Sequence, residues 1–218
     1  ELSYLQSTVN IKKTMHLKQF KLSDKYSVYK TQYVGEYPKE SFLMRTRENE
    51  LLYFNKSYKT ENSLDIELQC KEFKSVDSQI LHFLKNKLNQ NINRVAKSSW
   101  VYIQVPEFKM HWMHTHEHLE SSNRTRLKTQ WTFVYYIQIP PNTIKGEGDI
   151  IFKTEDNLEH RFTPSEGDIL IFPGELPHLV MPTESATMDR VVYASNLNFD
   201  FNDKVDTHKR IKFEEIIK

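Results

Sequence analysis

"PSEGDILIFPGELPHLVMP", residues 164–182, holds two short β-type runs and the punctuation between them. "DILIF" is β-branched and apolar, "SEGD" and "FPGELP" are turn signals, and a single histidine, His178, then stands between prolines at the start of a second apolar run. An imidazole in an otherwise apolar strand calls for a reason. Working outward, "WVYIQV" (100–105), "WTFVYYIQI" (131–139), "GDIIFK" (148–153) and "MDRVVYASN" (188–196) repeat the same grammar. They are separated by "PPN", "GEG" and "MPT". Short β-branched and aromatic runs broken by turn residues every 8 to 12 positions predict an antiparallel sandwich or jelly roll, not βαβ units.

Upstream, Ser75 can cap a helix whose apolar positions Val76, Ile80, Leu81, Leu84, Leu88, Ile92 and Val95 recur every three to four residues. The spacing predicts a helix to about Lys97 that lays one stripe on a sheet. Residues 1–74, with alternating pieces such as "YSVYKTQYV" and "ELLYFNKSY", read as a β-rich N-terminal extension, and residues 75–218 as the helix plus the β core. The expected class is therefore mainly β, α+β overall. The closing "THKRIKFEEIIK" reads as a short helix or a solvated tail.

Composition narrows the function. Thirty Lys and Arg nearly cancel 29 Asp and Glu, so no basic excess indicates nucleic acid. One cysteine, Cys70, excludes an internal disulfide and a cysteine-based zinc cage, and fits a reducing, cytoplasmic setting. No apolar run approaches the roughly 20 residues that span a bilayer. Five glycines against 13 phenylalanines and 11 tyrosines argue for aromatic-packed sheets over a Gly-rich phosphate cradle.

Four of the nine histidines fall in "HWMHTHEHLE", residues 111–120. If that segment is extended, His114, His116, His118 and Glu120 project from one face, and His-x-His is a two-toothed chelator on a strand. His178 is the candidate third ligand from a distant strand. Twelve residues beyond it, Arg190 shares a strand face with Val192, Ala194 and Asn196. A guanidinium fork suits a carboxylate held at two points. A metal and a carboxylate clamp can thus face the same interior. His16, His82, His160 and His208 have no partner at useful spacing, and Trp100, Trp112 and Trp131 read first as packing residues, with Trp112 able to wall a pocket.

With Trp100, His114 and His116, "WTFVYYI" from Trp131, "PSEGDILIFPGELPHLVMP" from Pro164, and Arg190 with Asn196, the chain resembles the 2-oxoglutarate/Fe(II) oxygenases common in phages and bacteria, relatives of the prolyl 4-hydroxylases. The resemblance covers about residues 100–200, in order. It implies a double-stranded β-helix and a dioxygenase using Fe(II), 2-oxoglutarate and O2. It also implies His114, His116 and His178 as metal ligands and Arg190, Tyr136 and Asn196 around the cosubstrate. By family analogy the substrate extends to prolyl or other protein residues. An inserted "LESSNRTRLKTQ" precedes "WTFVYY", where "TF" replaces the usual "SG", and it leaves a second ligand register, His118 with Glu120, closer to the His-x-Asp/Glu form of the wider superfamily. Two rivals remain at this stage: a cupin-like three-histidine metalloenzyme that uses no 2-oxo acid, and a jelly-roll binding module without catalysis.

Overall fold

Period-two alternation in the strands sorts side chains to the two sides of one large sheet, and each side finds its own cover. The structure, a computed structural model, describes residues 16–35, 39–40, 51–54, 57–60, 71–92, 94–106, 112–119, 127–141, 144–199 and 210–212. In chain order the elements are β1 (Lys18–Lys21), β2 (Ser27–Gln32), β3 (Leu51–Phe54), β4 (Ser57–Thr60), α1 (Lys71–Lys87), β5 (Arg94–Gln104), β6 (His118–Leu119) and β7 (Leu127–Lys128). Then follow β8 (Trp131–Gln138), β9 (Ile150–Lys153), β10 (Glu159–Phe162), β11 (Asp168–Pro173), β12 (His178–Val180), β13 (Arg190–Asn198) and β14 (Arg210–Lys212).

The major sheet runs β1-β2-β11-β8-β13-β5-β4-β3, with β14 also on β5; a minor sheet runs β10-β9-β12; β6 and β7 form a separate pair. Every pairing is antiparallel. This is the mainly β, double-stranded β-helix architecture with a helix on the sheet that the sequence predicts. Among the described residues no helix is long and apolar enough to cross a membrane.

Phe133, Tyr135 and Ile137 of β8, Ile169 and Ile171 of β11, and Val191, Tyr193 and Leu197 of β13 pack with Phe73, Val76, Ile80, Phe83 and Leu84 of α1. Each such side chain contributes about 1.5–3 kcal/mol by leaving water. The intervening residues Tyr136, Leu170, Phe172 and Val192 face the other way, joining Ile150, Phe152 and Leu176 between the two sheets. The central strands thus have no solvated face, which is why they read as near-continuous apolar runs.

The helix departs from the sequence expectation. It starts at Lys71, ahead of Ser75, and ends at Lys87, short of Lys97. Ser75 lies inside it, and its Oγ accepts a hydrogen bond from the Tyr33 hydroxyl at 2.8 Å. Asn89 adopts a positive φ of 50°, a conformation that stops a helix and that asparagine tolerates well. Gln90 N then donates to Leu84 O at 3.1 Å. Ile92 and Val95, which continue the helical rhythm on paper, are buried outside α1, Val95 as part of β5.

The helix is also tied to the sheet by a buried polar cluster. The Tyr193 hydroxyl donates to Asp77 Oδ1 at 2.9 Å, and Lys97 Nζ pairs with Asp77 Oδ2. Burial holds the Asp77 carboxyl above its ordinary range, against the opposing pull of Lys97. Lys97, Ser99 and Val101 on β5 face this side, so Ser98, Trp100, Tyr102 and Gln104 face the space between the sheets. The register sets Ser98 opposite Asn196, Trp100 opposite Ala194, Tyr102 opposite Val192 and Gln104 opposite Arg190.

Candidate metal centre and carboxylate clamp

The histidine segment is pinned, residue by residue, to the strands around it. His114 N donates to His178 O and His178 N to His114 O, both at 2.9 Å, an antiparallel bridge that adds His114 to the outer side of β12. His116 N donates to Gly174 O at 2.7 Å, and Thr129 N to Glu117 O at 2.9 Å, just ahead of the β6–β7 pair. Held straight in this way, His114 and His116 point to the same side, as the alternation predicts. Gly174 is needed at its place: a Cβ there would lie 2.9 Å from His116 O and 2.5 Å from Thr129 Cγ2.

The three imidazoles converge. Ring centroids are 5.1 Å apart for His114 and His116, 4.4 Å for His114 and His178, and 5.0 Å for His116 and His178. One ligand nitrogen from each lies within 4.8 Å of the others. Two of the rings have a fixed proton. His178 Nδ1 sits 2.9 Å from Leu176 O and His114 Nδ1 3.2 Å from Trp112 O. A carbonyl only accepts, so Nδ1 carries the hydrogen and Nε2 keeps the lone pair that binds a metal. Burial, with a smaller push from His114, takes the His178 pKa down to about 3, so this ring is neutral at physiological pH. Its walls are Phe172 and Phe152, at 4.9 and 5.9 Å between centroids, and Trp100 lies 5.5 Å from His116.

Arg190 opens β13 on the same interior side and is 1% exposed. Its Nη1 reaches Gln104 Oε1 at 3.5 Å, its Cζ stands 5.1 Å over the Tyr136 ring, and its Nε has no hydrogen-bond partner. Among the described residues no carboxylate pairs with it. Burial lowers its pKa from the ordinary value, with Tyr136 and Tyr102 opposing. Burial likewise pushes the Tyr136 phenol up to about 12, against the pull of Arg190. A fully buried guanidinium with an idle Nε and, among the described residues, no paired carboxylate is a costly arrangement unless an anion completes it. The guanidinium therefore fits a carboxylate such as the distal one of a 2-oxo acid, and three converging imidazoles fit a divalent transition metal.

Asn196 lies on the same face, 6% exposed, and its Oδ1 accepts the Thr132 hydroxyl at 2.8 Å. Its amide NH2 is what it has to offer a ligand. The side chain of His118 and all of Glu120, the second register, lie outside the described residues. Gln104 and Gly174 escaped the sequence reading. Gln104 shares the alternation of Trp100 and Tyr102, a signal that it faces inward; nothing before the strand register marks it as the neighbour of Arg190.

No protein-family model matches the sequence, and no curated protein matches it significantly. Solved structures do. A prolyl 4-hydroxylase from Pseudomonas putida superposes with a TM-score of 0.55 at 15% identity, over 80% of this chain and 93% of that one. The viral collagen prolyl hydroxylase of Paramecium Bursaria Chlorella virus-1, in its 2-oxoglutarate complex, gives 0.54 at 12% identity, over 80% and 96%. HygX from Streptomyces hygroscopicus, with nickel, 2-oxoglutarate and hygromycin B bound, gives 0.57 at 12% identity, over 80% and 83%. The fold of this chain is that of the prolyl 4-hydroxylase-like 2-oxoglutarate/Fe(II) oxygenases.

Proposed function

We propose that this protein is an Fe(II)- and 2-oxoglutarate-dependent dioxygenase that hydroxylates its substrate. One observation carries the reading: three convergent imidazoles and a fully buried guanidinium whose Nε has no hydrogen-bond partner line the interior of one double-stranded β-helix. In this reading His114, His116 and His178 hold iron, Arg190 receives the distal carboxylate of 2-oxoglutarate, and Tyr136 and Asn196 line the cosubstrate. Bound there, iron and 2-oxoglutarate supply O2-dependent decarboxylation to succinate and CO2, coupled to insertion of oxygen into a C–H bond.

The chain's own part is orientation and exclusion of water. The Leu176 and Trp112 carbonyls fix the rings of His178 and His114. Phe152 and Phe172 keep one side of His178 dry. Gln104 and Tyr136 hold the guanidinium between them. By analogy with the prolyl hydroxylases among its structural neighbours, a prolyl or other protein residue is the first substrate to try.

The test is succinate formation from 2-oxoglutarate by Fe(II)-loaded protein. His178→Ala should abolish metal binding and turnover together. Iron-loaded protein that fails to bind 2-oxoglutarate would refute the assignment. The all-histidine ligand set favours a second reading, a three-histidine metalloenzyme that uses no 2-oxo acid; metal-dependent chemistry without succinate would select it. Glu120→Ala separates the ligand registers, because loss of iron there would replace the proposed triad.

A further inference from the structure

Two of the backbone hooks that hold the histidine segment hang on the end of a strand ladder. The β8–β11 pairing closes with Trp131 opposite Pro173. Beyond it Gly174 N donates to Gln130 O at 3.2 Å, and there the chain turns, Leu176 N closing on Pro173 O at 3.0 Å. The hooks lie at this end: Gly174 O takes the His116 N–H, and Thr129 N donates to Glu117 O. Lys128, the residue before Thr129, stands opposite His118 in the β6–β7 pair. The aim of His116 therefore follows the spacing between the Gly174 turn and the Lys128–Thr129 segment.

One cluster of side chains spans that spacing. Lys25 Nζ, from the turn between β1 and β2, lies 3.0 Å from Glu175 Oε1, and Lys128 Nζ of β7 lies 3.3 Å from Glu175 Oε2. The hydrogen bond from Lys25, with that from Lys128 behind it, holds the Glu175 carboxyl below its ordinary range against the opposing effect of burial. Both neighbours of Glu175 serve the triad, Gly174 through its carbonyl to His116 N and Leu176 through its carbonyl to the His178 ring. Glu175 itself stands outside the imidazole cluster. Its bearing on a metal runs through the backbone on either side of it, and a cross-strand pair of opposite charge is a device that keeps two chains in register.

We propose that Glu175 is a positioning residue for the metal centre: clasped between Lys25 and Lys128, it sets the spacing of the Gly174 and Thr129 hooks and so the aim of His116. This role needs the triad of the oxygenase reading and is independent of its cosubstrate. Both lysines are more than half exposed, at 55% and 68%, so the clasp adds little to overall stability and is screened by salt. Metal affinity is thereby tied to an ion cluster that solvent can loosen.

The experiment titrates Co(II) into the metal-free full chain, with visible absorption reporting both uptake and the geometry around the ion. Four proteins are compared: the parent, Lys128→Met, Glu175→Gln, and Lys39→Met, which breaks an ion pair with Glu166 at the other end of β11. A field effect and a positioning effect have opposite signs at Lys128. Removing a positive charge near a dication tightens binding, whereas loosening the hook weakens it. Lys128→Met should raise the Co(II) Kd about three- to fivefold, the worth of one exposed pair, and alter the bands of the bound ion. Glu175→Gln should raise Kd at least as much, Lys39→Met should leave it unchanged, and adding Lys128→Met to Glu175→Gln should weaken binding no further. Melting temperatures of the metal-free proteins should stay within about 4 °C of one another. Added sodium perchlorate should weaken Co(II) binding more steeply in the parent than in Glu175→Gln. A parent that takes up Co(II) alongside a Lys128→Met variant that binds it equally well or better overturns the clasp and leaves the triad standing. A parent that takes up none ends the triad and the clasp together.

Discussion

Replacing Arg190 with methionine should do two opposite things. The guanidinium is 1% exposed, holds one long hydrogen bond to Gln104 and leaves Nε without a partner. A methionine of similar length removes the desolvation burden and keeps the contact with the Tyr136 ring. Replacement of buried charge by well-packed apolar side chains is commonly neutral or stabilising by about 1–4 kcal/mol. Taking the low end, about 1 kcal/mol raises the melting temperature of a chain this long by about 2–4 °C. The same change leaves the distal carboxylate of 2-oxoglutarate buried and unpaired, a loss of about 3–5 kcal/mol. That corresponds to two to more than three orders of magnitude in Kd. Differential scanning calorimetry of the metal-free protein reads the first effect, and isothermal titration of 2-oxoglutarate into the Mn(II) form the second. A variant that melts lower and still binds 2-oxoglutarate normally would mean that Arg190 is a structural residue, and the clamp would have to be abandoned.

Gly174→Ala forces a Cβ against His116 O and Thr129, so it should move the second ligand and weaken metal binding by tenfold or more, as a fluorescent chelator competition would measure. Metal-free protein should lose stability as pH falls from about 6.5 towards 3, because the unfolded chain takes up a proton at His178 that the folded chain refuses down to about pH 3. The slope from this group is at most about 1.4 kcal/mol per pH unit, and urea titrations of His178→Gln should be flatter by that amount; an identical slope would contradict the burial of the neutral ring. Lys97→Met strands the Asp77 carboxylate and should cost about 3–5 kcal/mol, while the double variant with Asp77→Leu recovers most of it, since the pair sits on the helix side of the sheet. Metal affinity should be the same in all three proteins.

How far the fold is legible in the sequence depends on which force wrote each signal. Both faces of the central strands are buried, so β5, β8, β11 and β13 stand out as near-continuous β-branched and aromatic runs. The same alternation carries His114 and His116 to one side of their segment and Arg190, Val192, Ala194 and Asn196 to one face of β13, and both sides open on the same interior. The end of α1 is hidden because Ile92 and Val95 keep a helical spacing by coincidence, and the decisive event is a single backbone angle at Asn89. Two further features are properties of pairing. Val191 and Val192 face Gln138 and Tyr136, so Ile137 is an extra residue in β8, a bulge that no pattern in the run announces. Gln104 becomes a neighbour of Arg190 only through the β5–β13 register, 86 positions apart. The imidazole cluster was readable because histidines are rare in apolar strands; the clamp's neutral supports were not, because glutamine in a strand is ordinary.

The backbone bridge between His114 and His178 means that an ion bound by the proposed triad would have a mechanical role besides a chemical one. A metal there would rivet His114 to His178, 64 residues apart, and by the chain-entropy measure for a cross-link a closed loop of that size is worth about 4 kcal/mol against the unfolded ensemble. Loading with iron would then do for this cysteine-poor protein what a disulfide does elsewhere, and cellular iron supply would set not only how fast it works but how long it survives.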